Sequence, residues 1–228
     1  MKERPILFSD PMVKAILNGR KTMTRRVIKH DVPFATSTYF DEETSRWYWD
    51  MKCGVADPCL GKCPYGQPGD RLWVRETWRV GSWREDDGQI AVDFKADGFP
   101  HQKWRTVPDP DKFNDLWEES TQEAEKVYGM KERYGWKPGK SPCRWRPSIF
   151  MPRWAARIIL EITAIRVERL GDITIEDAQA EGVTPLGVEG DGRRWRAAFR
   201  ELWDSLNAKR GYGWDANPWV WVIEFRRL

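Results

Sequence analysis

Several things that common function classes require are scarce in this sequence. No apolar stretch in its 228 residues approaches the length needed to cross a bilayer, and the opening Met1 to Pro5 lacks the apolar region of a secretory signal. A cytoplasmic protein with no membrane partner is expected. In that compartment its four cysteines read as thiols or metal ligands rather than as disulfides. Histidine is limited to His30 and His101, both in irregular stretches. The net charge is only +3, so basic character has to be local to matter. Internal repeats and low-complexity tracts are absent.

Tryptophan is what the chain has in excess. Fifteen are present, half of all aromatic residues, and many adjoin arginine, as at Trp73/Arg75, Trp78/Arg79, Trp104/Arg105, Arg144/Trp145/Arg146 and Arg153/Trp154. Base stacking on indoles with arginines on the backbone would account for such interleaving. So would a core filled by indoles with arginine stems lying beside them, and that is the expectation for most of the fifteen.

The cations concentrate in one octet, Gly19 to Arg26, which holds Arg20, Lys21, Arg25 and Arg26 together with Thr22 and Thr24. It follows a short helical segment, Asp10 to Asn18, with an apolar stripe of Val13, Ile16 and Leu17 and a stop at Asn18-Gly19. Neighbouring guanidinium charges and partial burial would both disfavour the ammonium form of Lys21. A neutral amine near the Thr24 hydroxyl is a base near a nucleophile. In a strictly extended strand the two side chains point to opposite faces, so their meeting requires a turn or bulge. The octet also reads as a solvated basic loop or a phosphate-binding patch.

Pro5 to Phe8 reads as a first strand and Arg26 to Ile28 as the start of a second. Between about 29 and 65 the pattern breaks into a hairpin or irregular flap. It ends in a loop where Cys53, Cys59 and Cys63, with Cys143 far downstream, are candidate ligands of a structural zinc. Unligated thiols are the other reading, and no cofactor is required. Arg71 to Trp78 alternates as one strand, in which Glu76 sits on an otherwise apolar side and needs either water or a cation from the octet. Residues 82–143 read as a second insertion with too little apolar content for a core of its own. Ile158 to Leu170 is strand-like; a short helix follows, with Thr174 as N-cap, Asp177 as its partner and Gly182 as its stop. Arg193 to about Lys209 is an amphipathic helix, and Trp219 to Leu228 has the character of a buried strand.

Four of these runs carry a resemblance: Asn18 to Arg25, Pro68 to Glu76, Ala178 to Gly182 and Val220 to Arg226. In order and context the chain resembles ASCH-domain proteins of the PUA-like superfamily. With Ser148 to Arg153 and its long insertions it is more similar to a phage-encoded branch, which would place it in a host cytoplasm. The resemblance implies an α+β fold: a partly open β-barrel with flanking helices in a single domain, 1–228, carrying the insertions at about 29–65 and 82–143. It implies association with RNA, a nucleoside or a nucleotide. The minimal bacterial relatives are amidohydrolases that deacetylate N4-acetylcytidine, with a lysine as proton acceptor, a threonine as nucleophile and a glutamate as proton donor. These match Lys21, Thr24 and Glu181. This chain differs from them in its insertions and in the basic Arg25.

From the residues alone, Glu181 reads as a helix-surface carboxylate before a stop glycine. Amide hydrolysis on a cytidine-type base is therefore one expectation. A non-catalytic RNA- or nucleotide-binding module is another, with Arg20, Arg25, Arg26, Arg75, Glu76, Trp78 and Arg153 as contacts. A ribonuclease is the third.

Overall fold

A computed structural model describes residues 1–29, 35–51, 58–97, 103–131, 134–185 and 192–228. Among them the chain is mixed α+β, with eleven strands in three open sheets and four α-helices. The strands are β1 (Glu3–Leu7), β2 (Met23–Val27), β3 (Ser37–Asp41), β4 (Arg46–Asp50), β5 (Cys59–Gly61), β6 (Arg71–Arg75), β7 (Trp78–Arg84), β8 (Gln89–Phe94), β9 (Lys103–Thr106), β10 (Ile159–Arg169) and β11 (Trp219–Arg227). The helices are α1 (Asp10–Leu17), α2 (Pro110–Tyr128), α3 (Ile175–Ala180) and α4 (Gly192–Asn207). One sheet has the order β1-β6-β10-β11-β2, the second β3-β4-β5 and the third β7-β8-β9.

By its internal contacts the chain divides into two units: Met1–Arg4, Ala15–Leu72 and Leu160–Leu228 make the first, Pro5–Lys14 and Trp73–Ile159 the second. In the first, β11 pairs antiparallel with β10 on one side and with β2 on the other. Because partners across a ladder share a face, one face of this sheet carries Met23, Val220 and Val222. These pack with Phe199 and Trp203 of α4 and Ala178 of α3. Each such buried aliphatic side chain contributes roughly 1.5–3 kcal/mol by leaving water. On the other face, Trp221 and Trp219 receive Trp47 and Trp49 of β4 edge-on, at 5.9 and 5.4 Å between ring centroids. The stretch read as a hairpin or irregular flap is thus, where described, an antiparallel sheet, β3 pairing β4, whose indoles cover the strands beneath.

The second unit qualifies two expectations. Residues 82–143 are expected to lack a core of their own; Ile90, Val92, Phe94, Phe113 and Cys143 from that range pack in one cluster with Trp73, Trp78, Val80 and Met151 from outside it. The apolar residues are few but converge from a hairpin and one helix, which local composition does not register. The helix starts on Pro110 with the Asp109 carboxylate accepting from the Asp111 N–H. The run Arg71 to Trp78 is not one strand: it breaks at Glu76 and Thr77. There the Glu76 N–H turns to the Met151 sulfur at 3.3 Å, and its carboxylate, fully buried, is held by both ends of the Arg157 guanidinium at 2.8 and 2.7 Å. The cation that meets Glu76 is Arg157, and the carboxylate, with no exposed surface, is not in water.

Candidate functional site

The octet is held by backbone bonds at both ends. Gly19, at φ +71°, closes α1 by donating to Ile16 O, and the N–H groups of Arg20 and Lys21 both donate to Ala15 O. Thr22 then donates to Ala180 O at the end of α3 and accepts from Phe225 N of β11, both at 2.9 Å. The result is an isolated antiparallel bridge between Lys21 and Glu181, residues 160 positions apart.

Across that bridge the Lys21 ammonium donates to Glu181 Oε2 at 2.6 Å and to Glu181 O at 2.9 Å. Both residues are buried, at 2% and 3% exposure. Burial lowers the Lys21 pKa from its ordinary 10.5; Glu181 opposes the shift, and the charges of Arg26 and Arg25 reinforce it. The close approach depends on Gly182, at φ +79°. A Cβ there would lie 2.7 Å from Lys21 Cβ and 2.8 Å from Ala15 Cβ. Gly182→Ala is therefore expected to destabilise the protein by about 1–3 kcal/mol, between backbone strain and displacement of Lys21, and chemical denaturation measures it.

Behind the pair lies a charge network on the α3 and α4 side of β2. Arg25, buried over the Phe199 ring at 5.8 Å, reaches Glu181 Oε1 at 3.4 Å, Glu168 Oε1 at 3.1 Å through Nε, and Asp177 Oδ2 at 2.5 Å. Arg166 joins the same carboxylates, at 2.6 Å to Asp177 and 3.0 Å to Glu168, and also pairs with Glu224. Asp177 serves twice, since its N–H also donates to the capping Thr174 hydroxyl at 3.1 Å. Glu168 and Arg166 went unread in the sequence. Their only signal is alternation along β10, which places both on one face.

Thr24 is 3% exposed and stands on the opposite face of β2 from Arg25. Its hydroxyl makes no hydrogen bond among the described residues. It pairs with Ile223, which pairs in turn with Ile165, so the three share a face. Ile165 lines a cavity of about 330 Å³, two strand spacings or about 10 Å from Thr24. Arg26 is on that face too, over the Tyr65 ring at 6.0 Å, its pKa lowered by burial. Arg20 is exposed and donates to Gly182 O and Thr184 Oγ1 at 3.2 and 2.9 Å.

The remaining expected contacts fall in the second unit. Arg75 lies over the Trp73 ring at 4.7 Å, Glu76 is sealed against Arg157, and Arg153 is exposed on a short turn. Trp78 is only 2% exposed, with Trp154 on its edge and Arg146 on its face. Several other arginine–tryptophan neighbours likewise stack on each other, Arg84 on Trp104 at 4.2 Å and Arg169 on Trp219 at 4.3 Å among them.

The described residues do not build the zinc site. Cys59 is exposed, and Cys63 is buried with its thiol pushed up to about 11 by that burial. Cys143 is buried in the core of the second unit, its thiol 3.8 Å from Ser120 O. Cys53, His30 and His101 lie outside the described residues. Among those that are described, no group of three His, Cys, Asp or Glu side chains could hold a metal, and no helix is long and apolar enough to cross a membrane. No protein-family model matches the chain, and neither a curated protein nor a solved structure does.

Proposed function

We propose that the chain is a single ASCH-type domain of the PUA-like class and that it removes an acyl group from the exocyclic amine of a cytidine-type nucleoside or nucleotide. The observation that carries this reading is the buried Lys21–Glu181 pair; Thr24, three positions along the chain, is buried on the other face of β2 with its hydroxyl unbonded among the described residues. An ammonium and a carboxylate in a dry interior share one proton, and moving it from nitrogen to oxygen leaves an amine and a carboxylic acid. Those are the two forms that amide hydrolysis needs, a base for the nucleophile and an acid for the leaving group.

In the first step the Lys21 amine takes the Thr24 proton as Thr24 Oγ1 bonds to the acyl carbon, forming a tetrahedral oxyanion. The Arg26 guanidinium, on the face of Thr24, stabilises that charge. Collapse breaks the carbon–nitrogen bond, and the departing amine takes the Glu181 proton. Water then cleaves the acyl-threonine ester, releasing acetate and restoring the hydroxyl. Arg25 acts through Glu181 as a positioning residue, fixed from behind by Glu168 and Asp177.

The test is a panel of N-acylated nucleosides and nucleotides incubated with wild type and Thr24→Ala, followed by mass spectrometry. Wild type is expected to release acetate from the N4-acetyl compounds, and Thr24→Ala to lose this while keeping its circular dichroism. Equal turnover by the two proteins removes the hydrolase reading. Salt-sensitive RNA affinity without turnover would instead favour a binding module.

A further inference from the structure

The cavity beside Ile165 has a lining that the proposed chemistry does not use. Its volume, about 330 Å³, is at the lower end of the roughly 300–1,000 Å³ usual for small-ligand pockets. Such a space takes one small molecule and not a polymer. Two aromatic rings wall it, Phe40 and Trp47, with centroids 5.3 Å apart and planes tilted by 52°. Trp47 is fixed by its edge contact on Trp221, whereas Phe40 is 47% exposed, a large apolar ring left open beside a concavity.

Three cations line the same space: Lys2, Arg4 and Lys62. Only Arg4 is neutralised. It bonds to Asp70 Oδ2 at 3.0 Å, while Asp70 Oδ1 accepts from the Lys2 N–H at 2.7 Å. Burial pushes the Asp70 carboxyl up, but these donors outweigh it and hold it below its ordinary value. Gly66, at φ +130°, makes room for this arrangement, since a Cβ there would sit 3.0 Å from both Arg4 Nη1 and Asp70 Oδ2. The Arg4–Asp70 pair therefore forms a fixed floor. The ammonium groups of Lys2 and Lys62 have no carboxylate partner among the described residues.

We infer that this cavity is a binding site for a nucleoside monophosphate, its base against Phe40 and Trp47 and its phosphate between Lys2 and Lys62. A flat apolar ring with an anion attached is the ligand class that satisfies both halves of the lining at once. Neither half alone accounts for the other: an apolar ligand leaves the two exposed ammonium groups to solvent, and a free oxyanion leaves Phe40 in water. The inference stands apart from the hydrolase reading, because it concerns binding and is tested with an unacylated ligand.

Titration calorimetry with cytidine 5′-monophosphate, adenosine 5′-monophosphate, cytidine and inorganic phosphate tests it. At least one nucleotide is expected to bind about ten-fold or more tightly than either cytidine or phosphate. Phe40→Ala, which removes an exposed ring without touching the core, is expected to weaken that binding about ten-fold, as is Lys2→Ala combined with Lys62→Ala. Cys63 supplies a second readout, since it lines the cavity and burial pushes its thiol up to about 11. Its alkylation at high pH should slow several-fold with saturating nucleotide, and Cys59 serves as the exposed control. Nucleotide affinity no greater than that of phosphate overturns the inference. So does nucleotide binding that is unchanged in both the Phe40 and the lysine variants.

Discussion

Replacing Lys21 with methionine is expected to lower kcat for deacylation by about 10²–10⁴-fold, the usual contribution of a positioned general base. Methionine keeps much of the lysine stem, so packing against Ala15 and Gly182 is largely retained while the amine is lost. The reactive form holds one proton between Lys21 and Glu181, so the wild-type rate should follow the fraction of the pair that keeps it. Because burial lowers the Lys21 pKa, that fraction falls as pH rises through a midpoint below 10.5, giving a basic limb that the methionine variant lacks. Stability reads the same titration. Between the folded pKa and 10.5 the unfolded chain holds a proton that the folded chain has released, so the folded state gains stability with rising pH across that window. The deficit is complete below the folded pKa and gone above 10.5. Urea melts at several pH values, wild type against Lys21→Met, read this slope, and kcat/KM profiles read the limb. A pH-independent difference between the two proteins would sink the assignment of a titrating lysine.

Glu76→Ala is expected to be the most damaging single change outside the candidate site, at about 3–5 kcal/mol, the cost of leaving one member of a buried ion pair alone. Arg157 would keep its place 4.0 Å over the Phe94 ring with no carboxylate to face. Its neighbourhood worsens the loss. Arg105 already has its pKa lowered by burial and by the charges of Arg157 and Arg153, with Glu76 as the offsetting charge. For a chain of this size the melting temperature should fall by roughly 6–20 °C. Glu76→Leu combined with Arg157→Met should recover most of that, because removing both charges removes the unpaired one. If differential scanning calorimetry shows the single variant melting with wild type, the pair is not the structural clamp its geometry indicates.

What could be read in advance was whatever is local. The end of α1 at Gly19, the Thr174 cap of α3, the stop at Gly182 and the long strands β10 and β11 each depend on residues a few positions apart, and each is where the pattern places it. Glu181 was opaque for the opposite reason. Taken by itself it follows a short helix as a surface carboxylate would, and only a partner 160 residues away buries it. Glu76 shows the same limit, with a partner 81 residues away. Its odd place on an apolar side was visible, but which of many arginines would answer it was not. The core of the second unit was missed because its apolar residues are spread over two strands and a helix, and none of those segments is apolar enough to stand out.

The alternation of Thr24 and Arg25 along β2 sets a strict condition on how this edge of the sheet assembles. A hydroxyl faces the cavity side and a guanidinium the carboxylates, and the ladder that seats Thr24 against Ile223 assigns them. Were β2 to anneal one position out of step, the sheet would have almost the same hydrogen bonds and far-ultraviolet spectrum, but each side chain would be delivered to the wrong hemisphere. Protein refolded from denaturant could thus look native by backbone spectroscopy while being inert; the bridge between Lys21 and Glu181, just before the strand, belongs to the native register alone.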